Sequence, residues 1–221
     1  MKTVCVIPAR GGSKRIPRKN IKDFMGKPVI AYSIEAAKES GLFTSIYVST
    51  EDEEIGKVAV QFGAQWLPRR ADLADSVTGT REVVTAATKQ LWMSEADIVC
   101  CLYATSPLMD VADLKRGYNY LTNMSAEHAI SVGYPPLQDA AQFYWRTVDA
   151  LQRGIEYFDI STVLIPIKPE RVIDINTPSD WERAEQMYRM LHGTRIDKVV
   201  AGMEIIRDIT NNMLDSNETK T

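Results

Sequence analysis

Residues 9–20 read ARGGSKRIPRKN, and they directly follow the apolar run TVCVIP at residues 3–8. The run has the length and composition of a buried strand that ends at a proline. Two adjacent glycines let the following backbone approach a ligand closely with its N–H groups available. The segment also carries five cations: Arg10, Lys14, Arg15, Arg18 and Lys19. Because these cations can neutralise a triphosphate, we predict a phosphate-binding loop here; the alternative is a solvated basic loop.

This loop matches neither of two common phosphate-binding signatures. The pattern G-x-x-x-x-G-K-[ST] is absent, and no G-x-G-x-x-G opens a helix, so a Walker loop and a dinucleotide-binding turn are disfavoured. The next helix is predicted only at residues 28–40, where Pro28 suits a first turn and Gly41 follows the end. The loop therefore has to wrap its ligand before the chain turns back.

Strands and helices alternate through the rest of the chain. Apolar runs predict strands at residues 45–50, 65–67, 98–103, 129–132, 142–145 and 163–167. Helical spacing predicts helices at residues 53–62, 80–92, 110–124, 147–152 and 179–191, the last with a capping box of Ser179 and Glu182. This alternation is typical of an α/β, Rossmann-like fold with a mostly parallel sheet flanked by helices. Ligands of such sheets bind beyond the carboxyl ends of the strands, where the loop would lie.

Composition bounds the classes of function. The chain has 221 residues, 45% hydrophobic and 25% charged, with a net charge of -3, so we expect neither a nucleic-acid partner nor a membrane partner. No apolar run approaches the ~18 residues of a membrane span and no secretory signal is recognised, which predicts a cytoplasmic location. Three cysteines in strand-like runs are expected to be buried thiols, and two histidines make a zinc site or a Ser-His-Asp triad improbable.

Several segments together resemble the acylneuraminate (CMP-sialic-acid-synthetase-type) cytidylyltransferases. They are IPARGGSKRIPRKNIKDFMGKPVIAYSIEAA, YVSTEDEEI, RADLADSVTGT, LYATSPL, DAAQFYW and RVIDINTPSDWERAE, which span most of residues 3–190. Within that family, GSKRIPRKNI, TGT, QFYW and DWERAE are most similar to the pseudaminic acid cytidylyltransferases. The resemblance implies an enzyme that joins CTP to a nine-carbon 2-keto acid sugar, giving CMP-sugar and pyrophosphate, with Mg²⁺ as cofactor.

The resemblance also implies the residues of the site. For the nucleotide they are Pro8, Ala9, Arg10, Gly12, Ser13, Lys19, Asn20, Arg69, Thr78 and Thr80. For the acidic sugar they are Tyr103, Thr105, Ser106, Asp139, Gln142 and Phe143. The implied catalytic residues are Arg10, Lys19 and Asp174, and the implied metal ligands are Asp174 and Asn176. Alternatives stay open for Arg69 as a surface arginine, for Tyr144 and Trp145 as core, and for Asp180 as an acid at a helix N-terminus.

Two departures from the family pattern bear on activity. The family usually has two aspartates at the metal site, where this chain has Asp174 and Asn176. A long excursion that carries the family's dimer arm is missing after Val132, where only residues 133–141 precede QFYW. These departures leave open a non-catalytic nucleotide-binding homologue as the alternative to an enzyme. Among enzymes, the alternative is a CMP-3-deoxy-manno-octulosonate synthetase.

The domain prediction assigns residues 1–193 to the cytidylyltransferase domain and residues 194–221 to a C-terminal helix with a frayed tail. Apolar residues recur at helical spacing over residues 196–209. Such a face is buried either on its own domain or against a second copy, which would make a homodimer.

Overall fold

The structure, a computed structural model, describes residues 1–75, 77–124, 126–155, 159–194 and 201–207. It contains two compact units, Met1–Asp174 and Ile175–Thr221. The strands are β1 (Thr3–Pro8), β2 (Asp23–Phe24), β3 (Lys27–Pro28), β4 (Ser45–Thr50), β5 (Gln65–Pro68), β6 (Ile98–Leu102), β7 (His128–Gly133), β8 (Gln138–Thr147) and β9 (Thr162–Ile167). The helices are α1 (Val29–Ser40), α2 (Glu53–Gln61), α3 (Thr80–Gln90), α4 (Val111–Asn123), α5 (Val148–Arg153) and α6 (Pro178–His192).

Seven strands of the first unit form one sheet in the order β5-β4-β1-β6-β8-β7-β9. Neighbours are parallel except where β8 pairs with β6 and with β7. The predicted α/β fold with a mostly parallel sheet is confirmed. From β1 the chain continues through α1 to β4 on one side, whereas β6 lies on the other side. The gap between the loops after β1 and β6 is therefore the switch point at which such sheets bind ligands.

Helices cover both faces of this sheet because its central strands are apolar on both sides. In β1, Val4 and Val6 belong to the buried cluster that includes α3 and α5, while Cys5 and Ile7 belong to the cluster that includes α1, α2 and α4. Cys5, Cys100 and Cys101 are free and buried, as predicted. Burial raises the pKa of the Cys101 thiol to about 12, so it remains protonated at neutral pH.

The connection between β7 and β8 is short, and the pairing after it is irregular. Only residues 134–137 join the two strands, and the register shifts between Ile130 and Val132. Ser131 lies at the shift, where its hydroxyl accepts hydrogen bonds from the backbone N–H groups of Gln142 and Phe143 at 3.2 and 3.1 Å. Strand β8 begins four residues earlier than predicted because its first residues pair with Val132 and the residue after it. Bulges of this kind re-aim side chains near functional sites.

Helix α6 in the second unit begins with a capping box, but its two residues are not the predicted ones. The hydroxyl of Thr177 accepts from the backbone N–H of Asp180 at 3.2 Å, and the Asp180 carboxylate accepts from the backbone N–H of Thr177 at 2.7 Å. Pro178 fits the first helical position, so the cap lies two residues before Ser179, and the predicted pairing of Ser179 with Glu182 is wrong. The alternative for Asp180, an acid at a helix N-terminus, is confirmed.

The predicted apolar stripe at residues 196–209 lies only partly in the described chain. Residues 201–207 are helical, with Met203 and Ile206 each 66% exposed. Ile196, Val199, Val200 and Ile209 lie outside the described residues, and pairing through this stripe stays a prediction. Among the described helices, none has both the length and the apolar character to cross a membrane.

Candidate active site

The loop after β1 is tied to β4 and to itself. The backbone N–H of Ala9 donates to the carbonyl of Ser49 at 3.0 Å, which continues the pairing of β1 with β4. The buried Asn20 donates through Nδ2 to the carbonyl of Arg10 at 2.9 Å. Asn20 therefore closes the loop on its own start. Ala9 has no exposed surface, which corrects its predicted contact with the nucleotide, while Pro8 is half-buried.

The acidic residues that follow β4 accept hydrogen bonds from the loop. The N–H of Gly11 donates to Glu51 Oε1 at 2.8 Å. Arg18 donates to both carboxylate oxygens of Asp52, at 2.5 and 3.0 Å, and to Glu54 at 2.5 Å. The hydrogen bond from Arg18 holds the pKa of the Asp52 carboxyl below its ordinary value. Arg18 is thus already paired, which corrects its inclusion among the cations available to a triphosphate.

The remaining cations of the loop lie at its surface. Lys14 and Arg15 are exposed, and Lys19 is half-buried at the end of the loop. Arg10 donates through Nη1 to the carbonyl of Asp75 at 2.7 Å, in the segment that precedes α3. Gly12 is exposed, and the half-buried Ser13 forms a tight turn through its N–H and the carbonyl of Gly11 at 2.9 Å. The exposed side of the loop is therefore cationic, and the exposed Gly12 lets a ligand approach the backbone closely.

Arg69 follows β5 and turns back to β4. Its backbone N–H donates to the carbonyl of Thr50 at 3.0 Å, and its guanidinium contacts the Ser49 carbonyl. Burial lowers the pKa of Arg69, and the nearby Glu51 acts in the opposite direction. Arg69 is half-buried at the same sheet edge as the loop, which argues against the alternative of a plain surface arginine.

A chain of polar and aromatic contacts connects the start of α3 with the residue after β6 and with β8. The hydroxyls of Thr80 and Tyr103 are 3.3 Å apart, and the rings of Tyr103 and Tyr144 are 5.3 Å apart. The Tyr144 hydroxyl donates to the carboxylate of Asp139, which is exposed. Burial raises the pKa of both tyrosines, so each remains a hydrogen-bond donor at neutral pH. Thr78, before α3, donates its backbone N–H to the Asp75 carboxylate at 2.6 Å.

Three residues predicted to bind the sugar are occupied within the protein. Phe143 is completely buried, because strand alternation directs it into the cluster that holds Trp145, and its predicted contact with sugar is corrected. Ser106 donates to the carbonyl of Ala141 at 3.1 Å, and Gln142 donates to the carbonyl of Arg171 at 2.7 Å. These two side chains support the irregular start of β8. Thr105 is also buried.

The alternative that both aromatic neighbours of Phe143 are core is confirmed, on opposite faces of the sheet. Trp145 is core: it is fully buried and stacks on Phe43 with ring centroids 5.2 Å apart. Tyr144 is buried on the opposite face, where its hydroxyl reaches Asp139. Sequence alternation alone predicts opposite faces for the two residues but not which face meets the site.

Arg171 fixes the segment that leads to Asp174. Its guanidinium contacts Asp110 and lies 2.5 Å from Asp113, which also pairs with Arg116 at 2.8 Å. Arg171 and Asp113 are 12% and 4% exposed at their side chains, so this is a buried ion pair. The sequence analysis missed it, because a charge partner about 60 residues away leaves no local signal.

The predicted metal ligands belong to different units. Asp174 is the last residue of the first unit, and Asn176 lies in the second, where its N–H donates to Asp180 at 3.0 Å. Within the described ranges no group of three or more His, Cys, Asp or Glu side chains could hold a metal ion.

Comparison with known proteins gives a consistent result. Residues 4–192 match a family model described as cytidylyltransferase. The chain is 37% identical to a pseudaminic acid cytidylyltransferase of Campylobacter jejuni, covering 87% of this chain and 98% of the relative. It is 29% identical to N-acylneuraminate cytidylyltransferase A of Danio rerio, covering 82% of this chain and 49% of that protein.

A solved structure supports the fold. The CMP:2-keto-3-deoxy-manno-octonic acid synthetase complexed with CTP superimposes with a TM-score of 0.68 at 18% identity, covering 86% of this chain and 99% of the other.

The alignment with the Campylobacter protein also shows a difference in length. It extends over 229 positions and covers 87% of this chain's 221 residues, or about 192, so about 37 aligned positions have no residue here. This chain is therefore shorter than that relative within the matched region.

Proposed function

The chain belongs to the cytidylyltransferase family, and from this premise we propose that it joins CTP to a nine-carbon 2-keto acid sugar, pseudaminic acid or a close analogue. The products are the CMP-sugar and pyrophosphate. The observation that carries this proposal is the 37% identity over nearly the whole length of a pseudaminic acid cytidylyltransferase. The cationic loop at the switch point of the sheet supports the nucleotide part independently of that identity.

In this proposal the loop binds the triphosphate. Arg10, Ser13 and Lys19 donate to phosphate oxygens, and the exposed backbone of Gly12 allows close approach. On the pyrimidine side, Pro8 packs against the base. The side chains beyond the loop that complete the nucleotide pocket are Arg69, Thr78 and Thr80.

In this reaction the protein mainly positions the two substrates and neutralises the charge on the phosphates. The anomeric oxygen of the sugar attacks the α-phosphorus, the bond to the bridging oxygen of the pyrophosphate breaks, and the hydroxyl proton leaves. Arg10 and Lys19 stabilise the charge on the phosphates, while Tyr103 and Asp139 orient the sugar. Tyr144 holds the Asp139 carboxylate in place through its hydroxyl.

The donor set at the predicted metal position suits magnesium. Mg²⁺ prefers oxygen ligands and is usually held by one or two carboxylates together with substrate phosphates. Asp174 would offer a carboxylate oxygen and Asn176 an amide oxygen, both of which are donor types that Mg²⁺ accepts. When bound, the ion supplies neutralisation of phosphate charge.

One alternative is favoured by particular observations. Asn176 provides no charge where the family usually has an aspartate, and only residues 134–137 connect β7 to β8. Both features favour a homologue that binds the nucleotide without turnover. The alternative of an octulosonate synthetase rests on a similar fold at 18% identity, and a similar fold does not identify the substrate.

A pyrophosphate-release assay separates these functions. Purified protein is incubated with CTP and Mg²⁺ and, in parallel reactions, pseudaminic acid, N-acetylneuraminic acid or 3-deoxy-manno-octulosonate. We expect release with a nonulosonic acid and none without sugar. Binding of CTP without release from any sugar would support the non-catalytic alternative, and release only with the octulosonate would support the synthetase alternative.

A further inference from the structure

We propose that Arg18 is a positioning residue rather than a phosphate ligand, and that Glu51, Asp52 and Glu54 form an acidic clamp that sets the conformation of the phosphate loop. This proposal rests on the proposed function insofar as the loop binds the triphosphate of CTP. The proposal adds that the three acids increase the affinity for CTP, although CTP is itself an anion, because they hold the loop in its binding conformation.

The first step of the argument is the geometry of Arg18. Its guanidinium makes three contacts with two carboxylates, at 2.5 and 3.0 Å to Asp52 and 2.5 Å to Glu54. A two-point contact between a guanidinium and one carboxylate fixes orientation as well as distance. Arg18 also has a left-handed backbone, with φ of 54°, which a non-glycine residue adopts only when its surroundings hold it there. The clamp supplies that restraint.

The second step is the other end of the loop. Gly11 donates its N–H to Glu51 at 2.8 Å, so this N–H is already used. A Cβ on Gly11 would lie 2.3 Å from the Asp52 carboxylate, so the loop can pack this closely on the clamp only with glycine at this position. Gly11 and Arg18 are thus held by the same acidic segment. The six residues between them project as one short excursion that carries Ser13 and two exposed cations.

The third step is charge. A phosphate could recruit Arg18 only by breaking three contacts to two carboxylates, whereas the loop already offers other cations. Arg18 offsets one of the three acidic charges, and the Gly11 N–H donates one hydrogen bond to Glu51 without changing its charge. The clamp therefore increases CTP affinity only if its restraint of the loop outweighs its repulsion of the triphosphate, which is the balance that the substitutions below measure.

Asp52→Asn gives opposite signs under the two roles of Arg18, whereas Arg18→Met weakens CTP binding under both. If Arg18 bound phosphate, Asp52→Asn would release it and strengthen CTP binding, while Arg18→Met would weaken it. If Arg18 positions the loop, both substitutions weaken CTP binding, each by about tenfold, and the double variant is no worse than either single one. Asn is as good an N-cap as Asp, so Asp52→Asn preserves the start of α2.

Glu53→Gln is the matched control. It removes one negative charge from the same helix end, but Glu53 pairs with Lys57 at 2.8 Å rather than with the loop. We expect CTP affinity equal to or slightly above that of the wild type. Arg18→Lys, which keeps the charge but loses the two-point contact, is expected to recover part of the affinity lost in Arg18→Met.

Hydrogen exchange of the ligand-free proteins tests the clamp without any substrate. We expect exchange of the amides of residues 11–14 to rise about tenfold in Asp52→Asn and Arg18→Met and to stay unchanged in Glu53→Gln. Calorimetry then measures CTP affinity for the same variants. Tighter CTP binding by Asp52→Asn, or unchanged exchange in both variants, would overturn the positioning role. A wild type that binds no CTP would instead overturn the proposed function, while exchange would still report on the clamp.

Discussion

The two halves of the carboxyl edge of the sheet differ in how much of each half is available to a ligand. On the half proposed to bind the nucleotide, the loops after β1 and β5 present cations, and hydrogen bonds to neighbouring chain segments hold the two loops in place. On the sugar half, three of the six predicted side chains are occupied in packing or in supporting the start of β8. Only Tyr103 and Asp139 combine exposed surface with a polar group there.

The difference follows from topology. The nucleotide half is built from parallel strands, whose loops all leave at the same edge and so gather functional groups there. The sugar half contains the antiparallel strand β8, which begins at that edge and spends its first residues on pairing and on the register shift. We infer that nucleotide binding is complete within this chain, whereas sugar binding depends on a small set of groups held by a buried network.

The largest expected effect tests that buried network. Arg171→Met removes one of the two arginines that pair with the buried Asp113 and leaves Arg116 at 2.8 Å. We therefore expect the free energy of unfolding to fall by about 3 kcal/mol, the low end of the cost of breaking a buried ion pair. Arg153→Met, which removes an arginine from an exposed pair with Asp149 and Glu127, is the control and should cost about 0–1 kcal/mol. Chemical denaturation measures both. Equal small losses would show that the segment before Asp174 is not held by Arg171.

The second effect tests the nucleotide half. Lys19→Ala removes a cation from the end of the phosphate loop, and we expect CTP binding to weaken by about 1.5–3 kcal/mol, the size of a charge-assisted hydrogen bond. Lys22→Ala removes the same charge from an exposed position three residues further on and should change binding much less. Calorimetry at one fixed salt concentration provides both values. If the two variants bind CTP equally well, Lys19 does not belong to the site.

The loop itself was predictable because a buried strand, two glycines and five cations follow one another in the sequence. The role of Arg18 was not, because its partner Asp52 is 34 residues away and is brought to it by the pairing of β1 with β4. Phe143 was misassigned for a related reason: alternation predicts that it faces away from Tyr144, but only the assembled layers show that a buried cluster covers each face and that Phe143 lies inside one of them. The residue types of a local motif can be identified from the sequence. Contacts between distant residues depend on which strands pair and in which register.

The third effect uses pH to test the packing of β7, the strand that pairs with β8. His128 is fully buried in β7, and neither ring nitrogen has a hydrogen-bond partner among the described residues. Burial, with Arg146 adding to it, lowers its pKa to about 4. The unfolded chain therefore binds a proton more readily below about pH 6.5, and stability is lost as the pH falls towards 4. From pH 7 to pH 5 we expect a loss of about 2 kcal/mol.

Denaturation at several pH values measures this dependence. His128→Leu should abolish most of the slope between pH 7 and pH 5, while His192→Leu, at an exposed position, should leave it unchanged. A slope that persists in His128→Leu would assign it to other groups.

The smallest effect tests the start of β8. Ala141 has a φ of 50°, a left-handed conformation that favours glycine, and its N–H donates to Asp139 at 2.8 Å. We expect Ala141→Gly to raise the free energy of unfolding by about 0.5–1 kcal/mol. Ala140→Gly, without a positive φ, should lower it. Destabilisation by both substitutions would indicate that the local conformation is not strained.

The most direct test of the central claim, that this chain alone holds a complete CTP site, is calorimetric titration of the protein with CTP and with ATP in the presence of Mg²⁺ and without sugar. The account predicts binding of CTP at one site per chain, with ATP at least about tenfold weaker because the site proposed around Pro8 and Arg69 is expected to select a pyrimidine. Equal affinity for the two nucleotides, or CTP binding only after sugar is added, would contradict it.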